Sequence, residues 1–386
     1  MTAKISSRMS EFFRPFFAHS HSGKIRKNVL YFLNLTKLHI YEQLLLEESL
    51  YRLSSYLCDS LNKVGFVVIN DTCGGILVGG HGNDRGYSAK WEEKERSNEV
   101  TSNRCVVMGI SGKVKDYVKD VNYVEENNIL LIKRYTGGGT VYINNNCVLL
   151  SLILPHTFEK EKKIYPSNIT EWAFNTIYKP LSNGGGKKKD DLFNENFYYH
   201  ENDFVCKIYD EKNEKIILKK VGGNAQAFSK NYFVHHTSFI WFCNFDEMNN
   251  VIVNPSKQPV YRKKRSHNDF LTSVKSCLHK NIDNTNMFIY NITSKLRSII
   301  NEKNSAQKEE HWLFQNVHLN MNNNFVHLPE QDLFDHVYRI DESFLKEIFL
   351  LYKNNRHIKN LRSTHFVNIR GEAVSDDYYQ FPSVLS

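Results

Sequence analysis

An arginine set just ahead of three glycines can hold an anion. Here the run is Lys133-Arg134-Tyr135-Thr136-Gly137-Gly138-Gly139-Thr140-Val141-Tyr142, between apolar stretches at 129–132 and 148–154. Glycine lacks a Cβ, so its backbone amide can approach a ligand closely and φ can turn positive. A guanidinium adds a rigid fork of donors matched to carboxylate or phosphate. Strand, glycine turn, strand is the simplest reading, and it would fix these donors on a sheet. A bare triple glycine fits a plain hairpin turn equally well. A second cluster follows, Lys219-Lys220-Val221-Gly222-Gly223-Asn224-Ala225-Gln226, and then His235-His236-Thr237-Ser238-Phe239-Ile240-Trp241. A lone strand lysine is ordinarily solvent-exposed, and the paired glycines beside this one set it apart. The two histidines lack the further ligands a tetrahedral metal site needs, and a strand that packs one imidazole and exposes the other is the simplest reading of the pair.

The order Arg-x-Thr-Gly-Gly-Gly, Lys-Val-x-Gly-x-Ala, His-His-x-Ser resembles the lipoate–protein ligase A family. The eukaryotic branch is nearest, through Gly-Gly-Asn-Ala-Gln, His-His-Thr-Ser-Phe and the later Tyr261-Arg262-Lys263-Lys264-Arg265-Ser266-His267-Asn268-Asp269-Phe270. The resemblance spans roughly residues 38–277. It implies an α+β fold, a class II synthetase-like mixed and largely antiparallel sheet with flanking helices, shared with biotin ligases. It implies acyl-adenylate chemistry. Lipoate is joined to AMP from ATP with Mg²⁺, or arrives as preformed lipoyl-AMP, and the acyl group passes to a lysine of a carrier domain.

By the same resemblance Lys220 is the catalytic cation, touching both acyl carbonyl and phosphate. Arg134, Thr136, Gly137, Gly138, Gly139, Thr140, Val141 and Tyr142 would hold the nucleotide, with Gly223, Asn224, His236 and Thr237 completing the adenylate pocket. Arg265 and His267 would close the domain onto the sheet. No resident metal is implied. The implied partners are lipoyl domains of 2-oxoacid dehydrogenase E2 subunits and, as a further candidate, the glycine-cleavage H protein. A monomer is expected. One departure matters. Bacterial ligases follow the glycines with His-Asp-x-Gly-Asn, where this chain has Ile143-Asn144-Asn145-Asn146-Cys147. Transfer from a ready-made adenylate should therefore survive better than ATP-dependent activation. Two alternatives stay open. One is a cysteine-dependent acyltransferase using Cys243, although the His-Gly-Pro-Gly signature of octanoyltransferases is absent. The other is a non-catalytic lipoyl-domain-binding protein.

Composition agrees with an enzyme of this size. The 386 residues can hold one large domain and a smaller one, and 41% hydrophobic with 13% aromatic content can fill a core. No run reaches the roughly 18–20 apolar residues of a membrane span. The seven cysteines are scattered without a Cys-x-x-Cys pair, which suggests reduced thiols rather than zinc or a disulfide framework. A net charge of +8 suits an acidic protein or nucleotide partner. No nucleic-acid-binding motif accompanies it.

The chain divides unevenly. Residues 1–30 read as an organelle-targeting segment, basic, serine-containing and acid-poor, mitochondrial in preference to plastid or cytoplasm, with Pro15 interrupting any helix. Residues 31–305 form the expected catalytic domain, and 306–386 match no family domain. Within the domain, 39–57 has helical spacing, with Leu46, Leu50 and Leu53 on one face. Strands are expected at 65–70 and 104–110, and helical spacing recurs at 280–304 through Ile289, Ile292, Leu296, Ile299 and Ile300. Insertions are expected near 72–100 and 182–196. The second contains Gly184-Gly185-Gly186-Lys187, which lacks phosphate-loop spacing and reads as a surface loop. An amphipathic piece lies at 344–352.

Overall fold

The computed structural model describes residues 26–56, 63–73, 104–160, 162–182, 192–243, 245–306, 310–320, 337–341, 347, 363–375 and 378–379. Residues 1–25 of the expected targeting segment 1–30, most of the expected insertions near 72–100 and 182–196, and nearly all of the 344–352 piece lie outside them.

Two sheets organise the described chain. The large one is built from β1 (Arg26–Thr36), β2 (Val64–Asp71), β6 (Cys147–Pro155), β7 (Phe197–His200), β8 (Asp203–Asp210), β9 (Lys215–Phe228), β10 (Tyr232–Ile240), β11 (Glu310–Asn320) and β12 (Val337–Asp341). Its order is β12-β11-β1-β2-β6-β10-β9-β8-β7. The ladders from β12 to β2 are parallel, and those from β2 to β7 antiparallel. The small sheet holds β3 (Cys105–Met108), β4 (Leu130–Lys133), β5 (Val141–Ile143) and β13 (His365–Phe366), in the order β13-β4-β3-β5. The result is the mixed, largely antiparallel α+β architecture that the sequence suggests.

Strand β6 shows why both faces are covered. It reads Cys-Val-Leu-Leu-Ser-Leu-Ile-Leu-Pro and is buried at every position. A near-continuous apolar run is what a strand covered on both sides requires. Leu150, Leu152 and Leu154 point to one core, with Phe204, Phe233, Phe239 and the long helix α2 (Thr285–Ala306). Helix α2 buries Phe288, Ile289, Ile292, Leu296, Ile299 and Ile300, a stripe at three- and four-residue spacing. On the opposite face lies helix α1 (Ile40–Tyr56). Its Leu46, Leu50 and Leu53 pack against Tyr31, Phe66, Val68 and Val234 of the large sheet. Its first turn, through Ile40, Tyr41 and Leu44, packs instead against Val107, Ile132 and Ile143 of the small sheet. Helix α1 is thus wedged between the sheets, which is why Glu42, Gln43, Glu47, Glu48 and Ser49 are all buried on it.

Beyond residue 306, the described strands β11, β12 and β13 join the two sheets. Strand β11 pairs in parallel with β1, Arg26 opposite Glu310. Strand β13 pairs with β4, and Phe366 stacks on Tyr41 with ring centroids 3.9 Å apart. The Thr364 amide donates to Glu48 of α1, and its hydroxyl accepts from the Tyr135 amide at the start of the glycine run.

Phe288 carries the contact between α2 and the sheet, meeting Phe193, Phe239 and Trp241. Phe288→Ala should cost about 3–5 kcal/mol of unfolding free energy, measured by urea titration. Tyr209→Ala, at a residue 60% exposed, should move it by less than about 0.5 kcal/mol.

Candidate active site

A cavity of about 130 Å³ opens where α1, the small sheet and the large sheet meet. Ile40, Leu44, Val107 and Leu149 give it apolar walls, and Arg134, Lys220, Ser151 and His236 bring polar groups to it. Residues from six separate elements converge there. Of the residues expected at the nucleotide, Arg134, Gly139, Thr140, Val141, Lys220, Gly223, Asn224, His236 and Thr237 line it.

Lys220 faces the cavity because β9 carries one extra residue. Phe204 is opposite Gly222, but Val205 is opposite Lys220, so Val221 has no partner on β8. A bulge of this kind flips the inward–outward alternation beyond it. Before the bulge, the even positions Ile216, Leu218 and Lys220 share the face of Val205; after it, Gly223 and Ala225 take that face over. In an unbulged ladder continued from the Phe204–Gly222 pair, Lys220 would lie opposite Cys206 and point into the Phe204 core. Its Nζ donates to Asp203 Oδ1 at 2.7 Å, and the Tyr261 hydroxyl donates to Asp203 Oδ2 at 2.9 Å. Burial, then the Asp203 charge, push the Tyr261 phenol well up, so it stays a donor.

The segment after Tyr261 straps this pair in place. Arg265 Nη2 donates to the carbonyls of Leu218 and Tyr261, at 2.8 and 2.9 Å. The Thr272 amide donates to the Lys220 carbonyl. His267 is buried, its Nδ1 3.2 Å from Asn249 Oδ1. Arg265 therefore ties the strap to β9, while His267 meets the helix Asp246–Val251 and not the sheet.

The glycine run is shaped from within. Arg134 Nε donates to Thr136 Oγ1, Nη1 to the Val107 carbonyl, and Nη2 to the carbonyls of Gly137 and Gly139. Four of the five guanidinium N–H groups are thereby committed to the protein. Burial lowers its pKa to about 10, which leaves it charged at neutral pH. Among the three glycines only Gly138 needs to be glycine for its backbone, at φ +96°, and a Cβ there would lie 2.9 Å from Arg134 Nη2. The run is packed closely from behind as well, since a Cβ on Gly109 would lie 2.4 Å from the Gly138 carbonyl oxygen. Thr136 is buried as an acceptor for Arg134, and the Tyr142 hydroxyl is spent on Glu247, which also binds Arg104. These two side chains brace the loop and do not line the cavity.

Sequence reasoning missed the polar set on the cavity wall. Glu47 of α1 accepts from Gln43 Nε2 and Ser151 Oγ, both at 2.6 Å, and its Oε2 lies 2.7 Å from His236 Nδ1. Ser151 Oγ is itself 3.0 Å from the same Nδ1. A serine, a histidine and a glutamate together suggest a nucleophile triad, but that arrangement needs serine and carboxylate on opposite ring nitrogens. Here both use Nδ1, so Ser151 is not activated. Asn224 Oδ1 accepts from Thr237 Oγ1, and its Nδ2 donates to the Asn202 carbonyl. Cys243 is exposed, is absent from the cavity wall, and its thiol is pushed up by burial of the sulfur. Asp203 could have been sought as the carboxylate a buried lysine needs; Glu47 gave no such signal, since its α1 context reads as a packing helix.

His235 faces the other way, fully buried, with neither ring nitrogen hydrogen-bonded. Burial, then His236, lower its pKa to about 3. Unfolded, it titrates near the model-peptide value of about 6.5. Between those values the unfolded chain binds a proton that the folded chain refuses, so stability falls as pH drops through that window. His235→Leu should flatten the acid limb by up to about 1.4 kcal/mol per pH unit, read from urea midpoints. Parallel pH profiles for the two proteins would contradict this assignment.

Comparison with known proteins gives a consistent result. The family model of the lipoyl protein ligase A/B catalytic domain matches residues 97–295. A curated relative named inactive lipoate–protein ligase 2, from Plasmodium falciparum (isolate 3D7), is 46% identical over 397 residues, covering 98% of this chain and 99% of the relative. Among solved structures, a bi-partite lipoate protein ligase with its E2 lipoyl domain from Thermoplasma acidophilum aligns with a TM-score of 0.48 at 14% identity, covering 91% of this chain and 99% of that one. Lipoate-protein ligase A bound with ATP aligns at 0.45 and 15% identity, covering 87% and 98%. On the matched domain and the 46% identical relative, the chain belongs to the lipoyl protein ligase A/B catalytic-domain family.

Proposed function

We propose that this chain transfers a lipoyl group from preformed lipoyl-AMP to the lysine of a carrier domain, and that it performs the activation of lipoate by ATP poorly. The observation that carries the reading is the joining of Lys220 to an apolar cavity that also meets the glycine run. In the proposed pose the acyl chain lies along Ile40, Leu44, Val107 and Leu149, and the mixed anhydride sits beside Lys220. The carrier amine attacks the acyl carbon. The C–N bond forms, the C–O bond to phosphate breaks, AMP leaves with the electron pair, and the nitrogen sheds one proton to solvent. Negative charge grows on the carbonyl oxygen and on the departing phosphate. Lys220, aimed by Asp203 and the Val221 bulge, can meet both, and preorganised donors of this kind stabilise a transition state more than a ground state.

Activation asks for more. It must bring a carboxylate against the α-phosphate and neutralise pyrophosphate bound with Mg²⁺. Arg134 is the cation nearest the glycine run, and four of its donors are turned onto the protein itself, two onto the carbonyls of Gly137 and Gly139, one onto Thr136 and one onto the Val107 carbonyl. The following stretch, Ile143 to Cys147, lacks the charged and imidazole groups of complete ligases. A relative that bears the name of an inactive ligase accords with a chain that does not complete both steps. Lipoyl domains of E2 subunits are the proposed acceptors. Mitochondrial residence belongs to the same proposal, resting on the basic, acid-poor start of the sequence.

The test compares carrier lipoylation rates at saturating lipoyl-AMP and at saturating lipoate with MgATP. The expected result is much faster transfer from lipoyl-AMP. Comparable rates, with pyrophosphate released in step with product, would show a complete ligase. Lys220→Ala should lower transfer from lipoyl-AMP by about 10²–10³ without unfolding the chain, as loss of one oxyanion donor does elsewhere. Wild-type transfer by a well-folded variant would remove Lys220 from the mechanism.

A further inference from the structure

The face of the large sheet that carries Lys220 continues well beyond the cavity. Ile216 lies four residues up β9 on the same side, about 13 Å away at the rise of a strand. Its cross-strand partner is Tyr209, and on β7 Tyr198 pairs with Val205. Lys207, two positions before Tyr209, sits with Nζ 4.6 Å from the Tyr198 ring centroid. A chain of contacts links this area to the catalytic lysine. Tyr198 stacks near His200, His200 meets the Tyr261 ring at 5.2 Å, and Tyr261 holds Asp203, which holds Lys220. Val260, next to Tyr261, is tied down through its amide to Glu201, yet its side chain is 82% exposed.

Nine large hydrophobic residues are exposed among the described residues, and four of them, Tyr198, Tyr209, Ile216 and Val260, fall on this one face. Scattered single exposures need no explanation, but four on the side of the molecule that carries the reactive lysine fit a contact surface. Its charge is one-sided along the strap. Residues 254–266 hold Lys257, Arg262, Lys263, Lys264 and Arg265 and no acid. Arg262 turns inward, to Asn254 and over the Phe270 ring, and Arg265 is spent on backbone carbonyls. Lys257, Lys263 and Lys264 are left exposed. The neighbouring acids are already engaged, Glu201 with the Val260 amide, Asp203 with Lys220, and Asp269 with Ser266. The turn at 210–215 is nearly balanced, three acids against two lysines.

We propose that this face is the docking surface for the protein domain that presents the acceptor lysine, and that the domain meets Lys257, Lys263 and Lys264 with acidic residues and meets Val260, Ile216 and Tyr209 with an apolar patch. The inference rests on the proposed transfer to a carrier domain and adds where that domain sits and what its surface must be. Complementary charge would speed encounter and fix register, while the apolar residues supply burial.

The experiment uses the full chain, an apo lipoyl domain of a 2-oxoacid dehydrogenase E2 subunit, and two variants, Lys263→Glu with Lys264→Glu, and Ile216→Asp. Calorimetry with a non-hydrolysable lipoyl-adenylate present gives the affinity for the carrier domain. Hydroxylamine, a small acceptor that attacks lipoyl-AMP to give a hydroxamate and AMP, reads the chemistry without docking. The expected result is carrier binding weakened roughly tenfold or more in each variant, with hydroxamate formation unchanged. Reversing acidic residues on the carrier should recover affinity for the Lys263/Lys264 variant alone. Unchanged carrier affinity in both variants, an equal loss of hydroxamate formation, or no carrier binding by the unaltered chain would overturn the proposal. Carrier binding that weakens as expected, with no transfer to either acceptor, would leave the docking surface standing and defeat the proposed transferase function.

Discussion

The site depends on one extra residue in one strand. Val221 has no partner on β8, and that single insertion turns Lys220 from the aromatic core to the cavity. Lys220 is half-buried, and a charge partly withdrawn from water is held more favourably when it is paired. Asp203 supplies the pair, Tyr261 supplies the second hydrogen bond of Asp203, and Arg265 anchors Tyr261's segment to β9. The bulge, the carboxylate and the strap form one unit. None of the three would place a cation at the cavity without the other two.

The same economy governs the opposite wall. Helix α1 is pressed between two sheets, so its polar side chains cannot reach water and must be satisfied internally. Glu47 is satisfied by Gln43, Ser151 and His236, and Asn70 donates in turn to Gln43. These bonds tie the neighbouring elements together, while the buried His236 Nε2 has no hydrogen-bond partner among the described residues. The network joins α1, β2, β6 and β10, the four elements that frame this wall. Arg134 plays the equivalent part for the glycine run, holding two of its carbonyls and Thr136 in place. Rigidity at this loop comes from a cation that faces inward.

How much of this was legible in the sequence follows from the range of each interaction. The apolar runs of β2 and β6 and the stripes of α1 and α2 are local patterns, and they can be read without knowing what they pack against. The glycine run, the Lys220 segment and the paired histidines were legible because a cluster of unusual residue types in fixed order is itself a signal. The bulge was not, because Val221 looks like any strand residue and its lack of a partner is a property of β8. The Glu47 cluster was not, because Glu47, Ser151 and His236 are brought together only by the wedging of α1. Strand β11 was hidden for the same reason: its pairing with β1 joins segments that lie far apart in the sequence. Thr136 and Tyr142 show the reverse case. Their place beside the glycines suggested ligand contacts, while the fold turns both side chains to Arg134 and Glu247 instead.

The central claim is that the cavity between α1, the small sheet and the bulged strand holds an acyl-adenylate with its anhydride at Lys220. A crystal structure of the full chain with a non-hydrolysable lipoyl-adenylate tests it most directly. The expected complex has the acyl chain along Ile40, Leu44 and Leu149, its far end toward Ser151 and His236, and Lys220 Nζ within hydrogen-bond distance of the carbonyl and the phosphate mimic. A complex in which the ligand lies elsewhere, or in which Lys220 keeps its contact with Asp203 and touches neither group, would contradict it.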